Sequence, residues 1–164
     1  MRVDHKETAM KCFHIALATG VFVATAAAAQ TASAPETYKF LSAKEIAALT
    51  DKPGSDPHTN NLVVRPGYTV EYALRTDSGN LVEVHAHTIH YINILEGQGT
   101  LSYGGTVNNP TEGKNGEVRG PSISGGTTVA IHAGDYMEIP AGTPHLFNAA
   151  SGTKLHYVVF NIKE

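Results

Sequence analysis

Apolar and polar residues alternate along most of this chain, and two apolar stretches near its start depart from that rhythm. Residues 13–24 form a nearly continuous apolar run, and Ile46, Ala47 and Leu49 recur at helical spacing. The second stretch follows Ser42-Ala-Lys-Glu45, the Ser-x-x-Glu form of a capping box, so a short helix is predicted through Thr50. Pro53, Gly54 and Pro57 would end it. Beyond that point the period is two. Strands are predicted over 70–75, 81–87, 90–95, 99–103, 127–132, 136–139 and 154–162, each bounded by Gly, Pro or Asn. Thr76-Asp-Ser-Gly-Asn80 has the composition of a hairpin turn. Residues 108–126 are polar, rich in Gly and Pro, and too long for a routine hairpin loop; a lid or binding loop and a disordered segment both fit. Many short strands with almost no helix predict an all-β sandwich or barrel.

The early apolar run has a different meaning. Arg2, Lys6 and Lys11 precede it, and the small residues 26–29 offer an Ala-x-Ala cleavage site. This is the pattern of a signal peptide over 1–29, and the run is too short to span a membrane. With no Arg-Arg pair ahead of it, the general secretory route and a periplasmic or secreted destination are expected. Residues 30–60 then form a linker with the short helix, and 61–164 the β domain. Cys12 leaves with the leader, so the mature chain has no disulfide and no thiolate ligand or nucleophile. The whole chain carries 12 Lys+Arg against 15 Asp+Glu; without the leader, nine basic residues oppose thirteen acidic ones. That balance, with no basic run and no Trp, makes nucleic acid a poor candidate partner.

Candidate chemistry sits on the histidines. His85, His87 and His90 crowd into six residues, and His145 follows a Pro140-Ala-Gly142 turn. Neutral imidazole is the commonest protein ligand for first-row transition metals. Residues two apart on a strand share a face, so Glu83, His85 and His87 would point one way. His90 lies an odd number of positions on. Thr88 and Ile89 are therefore predicted to turn the chain and carry His90 onto the next strand, on a face continued by Ile92 and Ile94.

These residues resemble the two motifs of the cupin superfamily, in its small single-domain form. The first motif, Gly-x5-His-x-His-x3,4-Glu-x6-Gly, is met at His85, His87 and Gly97, with His90 at the Glu position after a spacer of two. Gly79 stands at the upstream glycine position. The second, Gly-x5-Pro-x-Gly-x2-His-x3-Asn, is met at Gly134, Pro140, Gly142 and His145, with Asn148 one position early. The resemblance implies a cupin jelly-roll barrel that holds a divalent metal through His85, His87 and His145, with His90 in place of the carboxylate. It also allows a homodimer. Four imidazoles would leave the ion its full +2 charge, favouring Fe, Ni, Cu or Zn over Mg or Mn. If His90 is instead a hydrogen-bonded strand residue, three histidines remain with open positions on the ion.

Glu83, facing the same way, reads either as a general base or as an ion-pair partner. Arg65, Arg75 and Arg119 are anchors for an anion or simply solvated charges. Tyr72, Tyr103, Tyr136 and Phe147 line a pocket or pack in strands, while His132 and His156 read as ordinary strand residues. The function this implies is a secreted metal-binding cupin acting on a small molecule, as an oxygenase, lyase or isomerase. The other reading is a non-catalytic protein that captures a small ligand or the metal itself.

Overall fold

The structure is a computed structural model that describes residues 39–50 and 59–164. The predicted signal peptide, most of the linker and the 53–57 turn lie outside the described residues. The predicted helix forms as α1 (Ala43–Ala47), followed by one 3-10 turn at Ala48–Thr50. Its capping box is complete: the Glu45 N–H donates to the Ser42 hydroxyl, and the Ser42 N–H donates to the Glu45 carboxylate at 2.7 Å. Two satisfied backbone donors let so short a helix persist.

Among the described residues thirteen strands follow: β1 (Thr59–Arg65), β2 (Tyr68–Arg75), β3 (Val82–His85), β4 (Thr88–Glu96), β5 (Gln98–Tyr103), β6 (Thr106–Asn108), β7 (Thr111–Glu112), β8 (Glu117–Gly120), β9 (Ser122–Ser124), β10 (Thr127–His132), β11 (Tyr136–Ile139), β12 (His145–Ala149) and β13 (Leu155–Lys163). They form a sheet ordered β1-β2-β13-β4-β11, a second ordered β10-β5-β12-β3-β8-β7, and a β6-β9 ribbon. From β2 to β5, and again from β10 to β13, the chain changes sheet at every connection. The pairings among the described residues are antiparallel. This is a jelly roll, the all-β fold that the alternation and the motifs predicted.

The two inner faces bury a common core of Ile92, Ile94, Leu101, Ile131, Phe147 and Leu155, among others. Each fully buried aliphatic side chain contributes about 1.5–3 kcal/mol. β12 shows the pattern most plainly, with His145, Phe147 and Ala149 buried and Leu146 and Asn148 half-buried between them.

Four features depart from the sequence reading. β3 stops at His85, and Ala86 and His87 make the turn instead of Thr88 and Ile89. The ladder to β13 explains this, since Thr88 and Ile89 already pair with Lys163 and Ile162. The Glu164 N–H also donates to the His87 carbonyl at 3.0 Å, which ties the turn to the last strand. β1 and β12 carried too little alternation to be predicted; β1 is a polar edge strand with a bulge between Asn61 and Val63. Residues 108–126 are an ordered segment, and its Glu117 and Arg119 reach the cavity between the sheets, as a binding loop would. They hold three short strands, β7, β8 and β9, and a 3-10 turn at Lys114–Gly116, and β8 extends the second sheet by pairing with β3.

Candidate metal centre

Three imidazoles meet between the sheets. β3 delivers His85, β4 delivers His90, and β12 delivers His145 after a turn closed by the Thr143 N–H to Pro140 carbonyl bond of 3.2 Å. A further bond of 2.8 Å, from the Gly142 N–H to the His85 carbonyl, pins that turn to the end of β3. Gly142 has φ +74°, a conformation in which a side chain would be strained. One nitrogen from each ring lies within 4.8 Å of the others, and the ring centroids are 4.5–5.5 Å apart.

The outward nitrogens decide the chemistry. His90 Nδ1 meets the Asn161 side-chain oxygen at 2.5 Å, and the Asn161 amide nitrogen donates to the Thr69 hydroxyl, which fixes the amide's orientation. His145 Nδ1 meets the Thr143 carbonyl at 2.9 Å. His85 Nδ1 meets the Glu117 carboxylate at 2.5 Å. All three partners are acceptors, so every Nδ1 must carry the proton. His90 and His145, which burial keeps neutral, are each left with an Nε2 lone pair, while His85 lies between the Glu117 and Glu83 carboxylates. His85 Nε2 and His90 Nε2 are buried and lack any hydrogen-bond partner. Orphaned buried acceptors held in one tautomer by outer partners are the arrangement of metal-ligating histidines. The residues present therefore fit a divalent transition ion.

His87 is outside this cluster. Its place in the turn leaves it exposed, whereas the motif reading counted it a ligand. The spacing held the signal that would have avoided this. With a four-residue spacer, the same motif counted back from Gly97 lands on His90, His85 and Glu83. Glu83 then occupies the first ligand position and a histidine stands where the motif has its glutamate.

Glu83 lies beside the rings, its Oε2 3.6 Å from His85 Nε2 and 3.9 Å from His145 Nε2. Its Oε1 pairs with Arg119 and lies 3.7 Å from Arg75. Burial by itself would raise its carboxyl; the His85 ring and the two guanidinium groups outweigh that and hold it well below the usual carboxylate range. Glu117 and Asn161, both outside the sequence reading, orient two of the rings. Glu117 lies in the 108–126 segment, where the sequence fits a lid or binding loop and a disordered segment alike, and Asn161 acts through strand register opposite His90. Of the other candidates, Phe147 lines the site, Tyr72 pairs with His156 elsewhere, and Tyr103 and Tyr136 line a separate surface groove.

Burial lowers His90, aided by His145 and His85, to about 3. It also lowers His145, against the Thr143 carbonyl and Glu83, to about 4. Burial pulls His85 the same way, but Glu83 and Glu117 prevail and raise it. The first two rings are thus neutral in the folded protein, while in the unfolded chain they take up protons below 6.5. Between that value and about 4 the unfolded state binds more protons, so acid favours unfolding. From pH 7 to pH 5 the metal-free protein should lose about 2 kcal/mol for each ring, partly offset by His85. Urea denaturation at the two pH values checks this, with His90→Gln reducing the difference; equal midpoints in the unsubstituted protein would contradict it.

The cavity in front of the rings has a volume of about 360 Å³. Ile92, Phe147, Tyr157 and Val159 give it apolar walls, and Arg75, Arg119, Lys163, Glu71 and Thr69 make it polar. That size suits a small molecule.

No protein-family model and no curated protein matches the chain. Solved structures do. A Bacillus halodurans protein matches with a TM-score of 0.54 at 16% identity, over 79% of this chain and 84% of that one. A Bacteroides fragilis cupin protein matches with a TM-score of 0.45 at 15% identity, over 64% and 75%. A cupin 2 conserved barrel domain protein from Rhodopseudomonas palustris matches with a TM-score of 0.44 at 22% identity, over 65% and 61%. The likeness is one of fold.

Proposed function

We propose that this chain is an exported metalloprotein of the cupin type, in which His85, His90 and His145 hold a divalent transition metal facing a small-molecule pocket. The observation that carries the reading is the convergence of three imidazoles, each with its Nδ1 against an outer acceptor and one nitrogen of each within 4.8 Å of the others. Three imidazoles leave positions open on a tetrahedral or larger shell, as catalytic sites require. When bound, such an ion supplies Lewis acidity toward a carbonyl or enolate oxygen, and iron or copper adds redox chemistry. Oxygenase, lyase and isomerase reactions all draw on that capacity.

The chain's own residues then bind and orient. Arg75, Arg119 and Lys163 offer donors to polar groups of the substrate, and the aromatic and aliphatic walls exclude water from its remainder. A non-catalytic reading, capture of a small ligand or of the metal, is favoured by one observation. The ion pairs around Glu83 make that carboxylate a weak proton acceptor.

Metal analysis tests the proposal. The full chain expressed with its leader is expected in the periplasmic fraction with about one equivalent of Fe, Ni, Cu or Zn per chain. His87→Ala should retain that metal. Purified protein without a transition metal that also fails to take one up would overturn the metal reading, and retention of the unprocessed chain in the cytoplasm would overturn export.

A further inference from the structure

The last strand breaks the period that governs the others. From Leu155 to Ile162, β13 reads Leu-His-Tyr-Val-Val-Phe-Asn-Ile, with apolar or aromatic side chains at neighbouring positions instead of alternate ones. An antiparallel strand with one solvated face alternates; a nearly continuous apolar run belongs to a strand covered on both sides. Tyr157, Val159 and Asn161 line the cavity between the sheets, so Val158, Phe160 and Ile162 point out of the barrel. Strand register carries that outer face across the sheet. Val70 and Tyr91 lie opposite Phe160, and Tyr68 lies opposite Ile162. Phe160 is 45% and Tyr68 36% exposed, while Val70, Tyr91, Val158 and Ile162 are half-buried. The outer face of β10-β5-β12 has the opposite character: Gln98, Thr100, Ser102, Thr128, His132 and Asn148 occupy it, beside Ala130 and Leu146. One sheet faces outward with apolar groups, the other with polar ones.

The connecting residues are too polar to cover that apolar face. Residues 30–38 and 51–58 contain no Val, Leu, Ile, Phe or Met. The 3-10 turn after α1 meets the sheet at its β1 side, where the Asn60 side-chain amide donates to the Leu49 carbonyl at 3.3 Å. Area and charge both suit a second copy of the chain. Five strands about 4.8 Å apart, four of them seven to nine residues long, make a face of roughly 600 Å², and side-chain relief brings this near the roughly 800 Å² that each partner gives to a stable interface. Glu138 lies opposite Tyr91 on β11, and Arg65 lies opposite Tyr68 on β1, so the two edges of the face carry opposite charges. A twofold axis along β13 stacks β13 on its copy and β1 on β11, which brings Arg65 of one copy toward Glu138 of the other. We infer that the outer face of β1-β2-β13-β4-β11 is a homodimer interface in which two copies pack sheet on sheet about that axis. The face lies outside the barrel, so this inference does not depend on the metal reading.

Sedimentation equilibrium of the full chain, expressed with its leader and purified, tests the interface. The unsubstituted protein should sediment at twice the monomer mass at micromolar concentration. Phe160→Lys sets a charge on the central strand of the face and should weaken the dimer at least about 100-fold, with the circular dichroism spectrum unchanged. Ser102→Lys, on the polar sheet, should leave the dimer intact. Arg65→Glu should weaken it about tenfold, and adding Glu138→Arg should recover most of that loss, a rescue that misfolding cannot imitate. A monomeric unsubstituted protein overturns the inference. So does a dimer that Phe160→Lys leaves intact, or one that Ser102→Lys dissociates in its place.

Discussion

His90→Ala and His145→Ala should each weaken zinc or cobalt binding by at least 100-fold, while His87→Ala changes it by less than threefold. The magnitude follows from ligand count. A structural zinc site contributes about 10–16 kcal/mol over four ligands, or about 2.5–4 kcal/mol for each, and every 1.4 kcal/mol is a factor of about ten. The contrast among neighbouring histidines follows from position. His90 is buried with its Nε2 turned inward, His145 is buried beside it, and His87 stands exposed in the turn between β3 and β4. Isothermal titration of the three metal-free variants decides the matter. Equal losses in all three, or a loss confined to His87→Ala, would show that the ring cluster is not the ligand set. Asn161→Leu is the useful companion, because it removes the acceptor that keeps the His90 proton on Nδ1. Outer partners of this kind are worth 10–100-fold in metal affinity, roughly, so its effect should fall below that of His90→Ala.

Gly97→Ala should cost about 2–5 kcal/mol, a substantial part of the roughly 5–15 kcal/mol that holds a domain together. Gly97 joins β4 to β5 with φ +89°, and a Cβ there would sit 2.1 Å from the Lys154 carbonyl oxygen. The obstacle is backbone, which cannot swing aside as a side-chain end can. About 1–2 kcal/mol comes from the conformation and about 1–3 kcal/mol from the forced displacement. Gly134 gives the control. Its φ is +91°, but nothing lies within 4 Å of an added Cβ, so Gly134→Ala should cost only the conformational part. Urea midpoints of the two variants measure the difference, and similar losses would show that the contact with Lys154 relaxes at little cost.

Much of this molecule could be read from period-two alternation and turn residues, because a jelly roll buries one face of each strand and solvates the other. The Ser42–Glu45 capping box was legible for the same local reason: its partners are three residues apart. Legibility failed where a distant partner decided the outcome. The β3–β4 turn was misplaced by two residues because β13, some seventy positions away, pairs with Thr88 and Ile89 and fixes where β4 begins. That small shift moved His87 out of the site and brought His85 and Glu83 together as the pair on β3. His90 was recognised as a candidate, yet its role depended on Asn161, which only the register of β13 against β4 brings to its Nδ1. Glu117 was invisible because its segment is polar and rich in glycine, and its strand is set by distant pairing with β3 on one side and by β7 on the other.

The ion's position among the three buried rings decides between these outcomes. Crystals of the full chain grown with cobalt or zinc, with data collected at the metal's absorption edge, test it directly. One anomalous peak is predicted about 2.0–2.1 Å from the Nε2 atoms of His85, His90 and His145. A peak at His87 or at the exposed His132–Asp135 pair, with none among the three buried rings, would contradict it.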